Sequence, residues 1–285
     1  MRGLLSAHGL RSARGLGLLF AIFLIAACAS KTDTKEQNSL VTAAQTMERR
    51  AAQAYVQGDA QGAAATYESA ALVYQSLALA EPQARARLSA ARSLAEAGKS
   101  EQALQIVAAV LAQSHALSPG TQIVAQGRAA ALYLAQGSAA ALASASTHWQ
   151  LASALCMPAC AERAALWVLR ARIDLEQGEA AAAVQNANNA LGALDRPSAP
   201  AEHANALRVR AQAYAALKQP ANTLADATAA LALDQEVGHS GRVQADLQLL
   251  AKAHEALGNA EQAARFVALA KQAQDASQGL QRGAP

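Results

Sequence analysis

Aromatic residues are scarce in this chain: phenylalanine, tryptophan and tyrosine make up 4% of its 285 residues, although apolar residues make up 53%. Alanine supplies most of the difference, and it is both the best helix former and the least bulky core residue. No stretch shows the alternation of apolar and polar residues that is typical of a half-buried strand, and valine and isoleucine are sparse. These absences argue against a β-rich fold and predict an all-α protein of closely packed helices.

The chain also lacks the short motifs of common catalytic and metal sites. It has no glycine-rich phosphate loop ending in Lys-Ser or Lys-Thr, no G-x-S-x-G nucleophile turn and no H-E-x-x-H motif. Beyond His8 the histidines are scattered, with no pair at ligand spacing: His115, His148, His203, His239 and His254. We therefore predict no catalytic residue, no metal site and no cofactor, and a protein that is not an enzyme.

A surplus of positive charge is missing from most of the chain. The sequence has 24 basic and 21 acidic residues, but Arg2, Arg11 and Arg14 all lie in the first 27 residues, which contain no acid. The rest of the chain then has 21 basic residues (24 less 3) against the same 21 acids. A nucleic-acid partner would require a basic surplus there, so we predict none.

The amino-terminal segment has the pattern of an export signal. Its arginines precede an apolar run, Leu16 to Ala27, that ends in small residues. The run is shorter than the roughly 20 residues of a comfortable membrane-spanning helix. It closes with Leu24-Ile25-Ala26-Ala27-Cys28, which resembles the lipobox of bacterial lipoproteins. The resemblance implies a signal peptide of residues 1–27, cleavage before Cys28, and acyl chains (palmitate among them) on this residue; the alternative is an ordinary signal peptide with an incidental cysteine.

The residue after the cysteine bears on location. An aspartate there favours retention in the inner membrane in lipoproteins, whereas this chain has Ala29. The resemblance thus implies the outer membrane of a Gram-negative-type bacterium, facing the periplasm. Residues 28–39, the lipidated cysteine and a polar stretch, read as a flexible tether, and residues 29–39 would reach roughly 35–40 Å if fully extended.

Helix-breaking turn signals recur along the remainder of the chain. They stand at Gly58-Asp59, Gly98-Lys99, Gly137-Ser138, Gly178-Glu179, Lys218-Gln219-Pro220 and Gly258-Asn259, at successive spacings of 40, 39, 41, 40 and 40 residues. An alanine stands seven residues before every turn: Ala51, Ala91, Ala130, Ala171, Ala211 and Ala251. Apolar residues on either side of the turns recur at helical spacing. The pattern predicts six αα-hairpins whose helices approach closely at the alanines.

This combination resembles the tetratricopeptide repeat family. A small residue in the first helix, a glycine-centred turn and small residues in the second helix carry the resemblance, the last at Ala63, Ala103, Ala183 and Ala263, with Leu142 and Thr223 as departures. It covers residues 40–276 and implies a right-handed superhelical solenoid of about six such hairpins. The period near 40 exceeds the usual 34 or so. Residues 277–285 are predicted to be a loose tail.

Two further cysteines flank a short link between hairpins. Cys156 and Cys160 enclose Met157-Pro158-Ala159, and thiols this close tend to pair in an exported protein. A disulfide is the first interpretation, with two buried free thiols or a redox or metal role as alternatives. Trp149 and Trp167 bracket the link and are expected to pack near it as core aromatics.

The tetratricopeptide resemblance also implies a binding groove. In such arrays the first helix of each hairpin lines the concave face, and the residue six places before the turn usually points into it. Those places hold Ala52, Arg92, Ala131, Arg172, Gln212 and Lys252. The candidate groove residues, with neighbours one or two turns earlier, are Arg85, Arg92, Arg172, Asn205, Arg208, Gln212, Gln248 and Lys252. Such a basic groove suits an acidic segment or a free carboxylate, which arginine can hold with two parallel bonds; the alternative is a set of solvated surface arginines.

The function predicted from these features is that of a lipid-anchored envelope scaffold. It would bind a protein or peptide partner in the concave face, as in the assembly of an envelope machine. The alternatives are a non-catalytic subunit or activator of a peptidoglycan enzyme and a structural envelope protein without a stable partner. The choice of process rests on analogy at the level of fold.

Overall fold

The computed structural model describes the backbone of residues 16–194 and 199–283, and the side chains of residues 36–194 and 199–276. In these residues every regular element is a helix. The α-helices are α1 (Leu16–Val56), α2 (Ala60–Ser76), α3 (Ala80–Glu96), α4 (Ser100–Ala112), α5 (Pro119–Leu134), α6 (Ala139–Leu155), α7 (Arg163–Glu176), α8 (Ala180–Gly192), α9 (Pro200–Ala216), α10 (Pro220–Val237), α11 (Ser240–Ala256) and α12 (Ala260–Gly283). A 3₁₀ helix, Ser114–Ala116, follows α4.

The chain divides into two compact units, residues 1–43 and residues 44–285. The described backbone of the first unit is helical and includes the predicted tether, so residues 29–39 differ here from the flexible segment expected. Neither glycine nor proline occurs between Gly17 and Gly58, so nothing in this stretch breaks a helix. None of the helices in the described ranges is both long enough and apolar enough to cross a membrane. The predicted signal-peptide boundary stays a prediction, and its residues 1–15 lie outside the described part.

In the second unit the helices pair in sequence order, α1 with α2 through α11 with α12, into hairpins one to six. Five of the predicted turns have their glycine in the left-handed region, with φ between 68° and 94°. This conformation ends a helix at no steric cost to glycine. The fifth turn has Lys218 at φ 57° in the same place, and Pro220 then occupies the first turn of α10.

The predicted register of the hairpins is confirmed by the burial of the alanine seven residues before each turn. Five of these alanines have no exposed surface, and Ala251 has 6%. Each lies where two helices come into contact; Ala51, for example, packs with Tyr67 of α2 and Ala90 of α3. A larger side chain there would push the helices apart.

Consecutive hairpins stack so that each core is shared. One cluster joins Leu88 of α3, Val107 of α4 and Leu132 of α5, and another joins α7, α8 and α9 through Val168, Ala187 and Val209. The first helices of neighbouring hairpins also touch, α3 with α5, α5 with α7 and α7 with α9. No hairpin buries both of its faces alone, so the array is a helical repeat solenoid.

The long period arises in two ways. Hairpins one and five have long second helices, of 17 residues in α2 and 18 in α10, followed by short links. Hairpins two and four have second helices of 13 residues, followed by longer links. At the end of the chain α12 continues to Gly283, beyond the start of the predicted loose tail at residue 277, because no proline occurs there before Pro285.

Candidate binding groove

The first helices of hairpins three to five lie side by side and enclose a groove. We use this name for the cavity of about 290 Å³ between α5, α7 and α9. Its floor is apolar, with Val124, Val168 and Leu169 among the lining residues, and four polar side chains line it as well: Arg128, Glu162, Arg172 and Asn205. Two of the four, Arg172 and Asn205, are predicted groove residues that the structure does bring together.

Arg128 is a groove residue that the sequence analysis missed. Its position, nine residues before the turn, lies one helical turn from Ala131, the position that the repeat pattern assigned to the groove. The Nε atom of Arg128 is buried and has no hydrogen-bond partner among the described residues. Burial, together with the positive charge of nearby Arg92, lowers the pKa of the Arg128 guanidinium to about 10. The group is still a cation at neutral pH.

Arg172 faces the same cavity from α7. Burial also lowers the pKa of its guanidinium, against the opposing effect of Glu176. Within the described residues, neither Arg172 nor Arg128 forms an ion pair within 4.0 Å. Removing a cation from water is unfavourable unless an anion or hydrogen-bond acceptors replace the water. The groove is therefore built to attract an anionic group.

Arg208 requires a correction, because its side chain does not face the groove. It is buried within the packing of α9, α10 and α11, where its Nε donates to Asp246 Oδ1 at 2.6 Å and its Nη2 pairs with Asp234. Both aspartate side chains have no exposed surface. This ion-pair cluster satisfies the guanidinium within the chain, so Arg208 is a structural residue and not a partner contact.

The other predicted groove residues lie apart from the groove. Arg92 stacks on Tyr55, with its Cζ atom 4.3 Å from the ring centroid. Arg85 and Gln212 are exposed on α3 and α9. Gln248 and Lys252 line a different cavity, of about 550 Å³, on the outer face of α11 and α12. Their candidacy as partner contacts stays a prediction.

The link between hairpins three and four carries a disulfide between Cys156 and Cys160, whose Cα atoms are 5.0 Å apart. Beside it is a small, mostly apolar pocket of about 200 Å³, lined by Trp149, Trp167 and Met157 among others. The indole Nε1 of Trp149 donates to the Leu166 carbonyl at 2.8 Å, which fixes the ring against α7. Both tryptophans therefore border the link, and the Trp149 ring also packs in the core beneath it.

No group of three or more histidine, cysteine, aspartate or glutamate residues that could hold a metal ion occurs in the described part of the chain. The five scattered histidines lie in separate environments. His148, for example, stacks on Tyr133 at 5.4 Å and its Nδ1 lies 2.6 Å from Gln126 Oε1.

Comparison with known proteins identifies similar structures but no family by sequence. No family model matches the chain, and no curated protein matches it. Among solved structures, BtubC (BKLC) from P. vanneervenii superposes with a TM-score of 0.55 at 15% identity, over 85% of this chain and 92% of that one. The fold is a solenoid of tetratricopeptide-like hairpins.

Two further solved structures resemble the chain more loosely. The TPR2AB domain of yeast Sti1, in a complex with pHSP90, has a TM-score of 0.36 at 16% identity, over 83% of this chain and 96% of that one. Cut9 in the APC/C hetero-tetramer Cut9–Hcn1 has a TM-score of 0.44 at 17% identity, over 85% of this chain and 48% of that one. At these identities the likeness concerns the fold alone.

Proposed function

We propose that the protein is a non-catalytic interaction scaffold that binds an acidic segment of a partner protein in the groove. The observation that carries this proposal is the pair Arg128 and Arg172, which face one cavity without acidic partners among the described residues. The tetratricopeptide-like fold supports it, since solved structures with such repeats include the complex of Sti1 with pHSP90.

The composition of the groove defines the segment that fits. A carboxylate placed between the two guanidinium groups would replace the water they have lost, and charge-assisted hydrogen bonds to arginine are about twice as strong as neutral ones. Asn205 offers both a donor and an acceptor for a backbone amide of the segment. Glu162 on the lining repels a second carboxylate on its side. We therefore expect an extended segment with one or two acidic residues next to an apolar side chain that packs on Val168 and Leu169.

The proposed setting is the periplasmic face of the outer membrane, with the chain anchored through acylated Cys28. The basis is the lipobox resemblance of residues 24–28 and the alanine that follows it. Metabolic labelling with palmitate, followed by membrane fractionation, tests this part. Label should appear in the outer-membrane fraction and be lost in Cys28→Ser; retained label in that variant would contradict the anchor.

The groove itself is tested by crosslinking in intact cells. A photo-crosslinking amino acid at Ala131, which lines the cavity, should capture a partner. Arg128→Glu combined with Arg172→Glu should reduce capture at least tenfold while helix content stays unchanged. The matched control is Arg49→Glu with Arg50→Glu, which makes the same change of charge on an exposed part of α1 and should leave capture intact. Undiminished capture by the groove variant would place the partner elsewhere.

A further inference from the structure

The short link between α10 and α11 makes a contact that a simple repeat array would not make. In a solenoid each hairpin contacts its neighbours only. Here His239, in the link between hairpins five and six, packs against Tyr55 of hairpin one, 184 positions earlier in the chain. The two ring centroids are 5.2 Å apart and the rings are nearly perpendicular, at 87°. This is a favourable edge-to-face geometry.

Hairpin two contributes to the same contact. Arg92 of α3 lies on the face of the Tyr55 ring, so tyrosine, arginine and histidine form one cluster. Gly241 faces Glu96 so closely that a Cβ atom on the glycine would lie 3.0 Å from the Glu96 carboxylate oxygen. The link thus lies against α1 and α3 along several residues.

The link is held firmly at its own end. Gly238 takes the left-handed conformation that ends α10, and the backbone N–H groups of Gly238 and His239 both donate to the Asp234 carbonyl, at 2.9 and 3.0 Å. The carbonyl of His239 accepts from Arg242 and Val243, at 3.1 and 3.0 Å, which begins α11. The link therefore projects as a fixed corner from hairpins five and six.

The contact leaves several buried polar atoms without partners in the described residues. His239 is 4% exposed, and neither ring nitrogen has a hydrogen-bond partner; the same holds for Ser240 Oγ and Arg92 Nε. The charged groups that act on the imidazole are cationic, namely Arg92 of α3, Arg208 of α9 and Arg242 of α11. Closing the contact therefore costs the hydration of these groups, and water would recover it when the contact opens.

We propose that this link is a clasp that joins the last two hairpins to the first two and that opens to expose Tyr55 and Arg92. In the closed state the clasp covers the side chain of Arg92, one of the positions predicted for the groove. Arg92 acts electrostatically on Arg128, which lines the groove, so the two sites are adjacent. The part of the proposal that concerns a ligand rests on the proposed function: an acidic segment would compete with the clasp for Tyr55 and Arg92.

The closed state is tested with a pair of introduced cysteines, Glu96→Cys with Gly241→Cys. Replacing Glu96 removes the carboxylate that crowds Gly241, so both thiols fit. A short bismaleimide should link them in most molecules within minutes in native buffer. His239→Ala should reduce the rate at least fivefold, whereas His148→Ala, which removes a histidine stacked on a tyrosine within hairpin three, should leave it unchanged. No crosslink, or equal rates in all three proteins, would overturn the clasp.

Competition is tested with deca-glutamate as the probe. It should slow the crosslinking of the open protein, and the crosslinked protein should bind it at least fivefold more weakly than the uncrosslinked protein, by fluorescence anisotropy. Equal binding by both forms would overturn the competition while leaving the proposed function in place. No binding by either form, with normal crosslinking, would count against the proposed function and against the competition, and would leave the clasp as a structural closure only.

Discussion

The buried ion-pair cluster around Arg208 gives the sharpest prediction about stability. Replacing Arg208 by methionine keeps most of the side-chain volume and removes the charge. It leaves Asp234 and Asp246 buried side by side, because both have no exposed side-chain surface. Breaking a buried pair by removing one partner costs about 3–5 kcal/mol, since a buried charge is left uncompensated. We expect Arg208→Met to lose stability by that amount at pH 8.

The loss should depend on pH in a defined direction. Burial raises the pKa of Asp246 to about 7 even with Arg208 present, with Asp234 adding to the rise, and burial raises the pKa of Asp234 as well. Without the arginine both pKa values should rise further above the value of about 3.9 in the unfolded chain. A carboxyl whose pKa is raised on folding stabilises the folded state below its unfolded pKa and loses that contribution as pH rises through its folded pKa. The variant should therefore be far closer to the wild type at pH 5 than at pH 8.

Urea denaturation followed by circular dichroism at both pH values measures this effect. The matched control is Arg210→Met, one turn away, whose guanidinium holds Asp226 with bonds of 2.7 and 2.8 Å near the surface. A more exposed pair contributes about 1 kcal/mol or less, and its loss should change little between pH 5 and pH 8. A loss below about 1 kcal/mol for Arg208→Met at pH 8, or a loss equal at both pH values, would refute the account of a desolvated carboxylate pair.

Two further predictions concern packing and protonation. Ala171→Leu or Ala251→Leu should lower stability by about 1–3 kcal/mol through overpacking, whereas Ala52→Leu on the exposed side of α1 should leave the melting temperature unchanged; wild-type melting of both buried variants would show that the hairpin register is wrong. Burial and the three arginines around it lower the pKa of His239 to about 4. Because the unfolded histidine takes up its proton near pH 6.5, stability should fall by up to about 3 kcal/mol between pH 6.5 and pH 4 relative to His239→Gln. Urea titrations at pH 7 and pH 4.5 would contradict this if wild type and variant changed in parallel.

The sequence by itself determined the helical class, the number of hairpins and their register. These properties are local: a glycine that ends a helix, an alanine that permits close approach, and apolar residues at helical spacing act within one or two hairpins. Hence the turns at Gly58 and Gly178 and the buried alanines at Ala130 and Ala211 lie where the spacing placed them. The same spacing brought Arg172 and Asn205 to one cavity.

Only the tertiary structure decided which charged residues are paired and which are free to bind. Arg172 and Arg208 both looked like groove residues, because a helical position fixes a direction but not what meets the side chain there. Arg208 meets Asp234 and Asp246 from two other helices, whereas Arg172 meets no such acid among the described residues. The contact of His239 with Tyr55 was also invisible in the sequence, since it depends on the accumulated rotation of several hairpins, which no local pattern encodes.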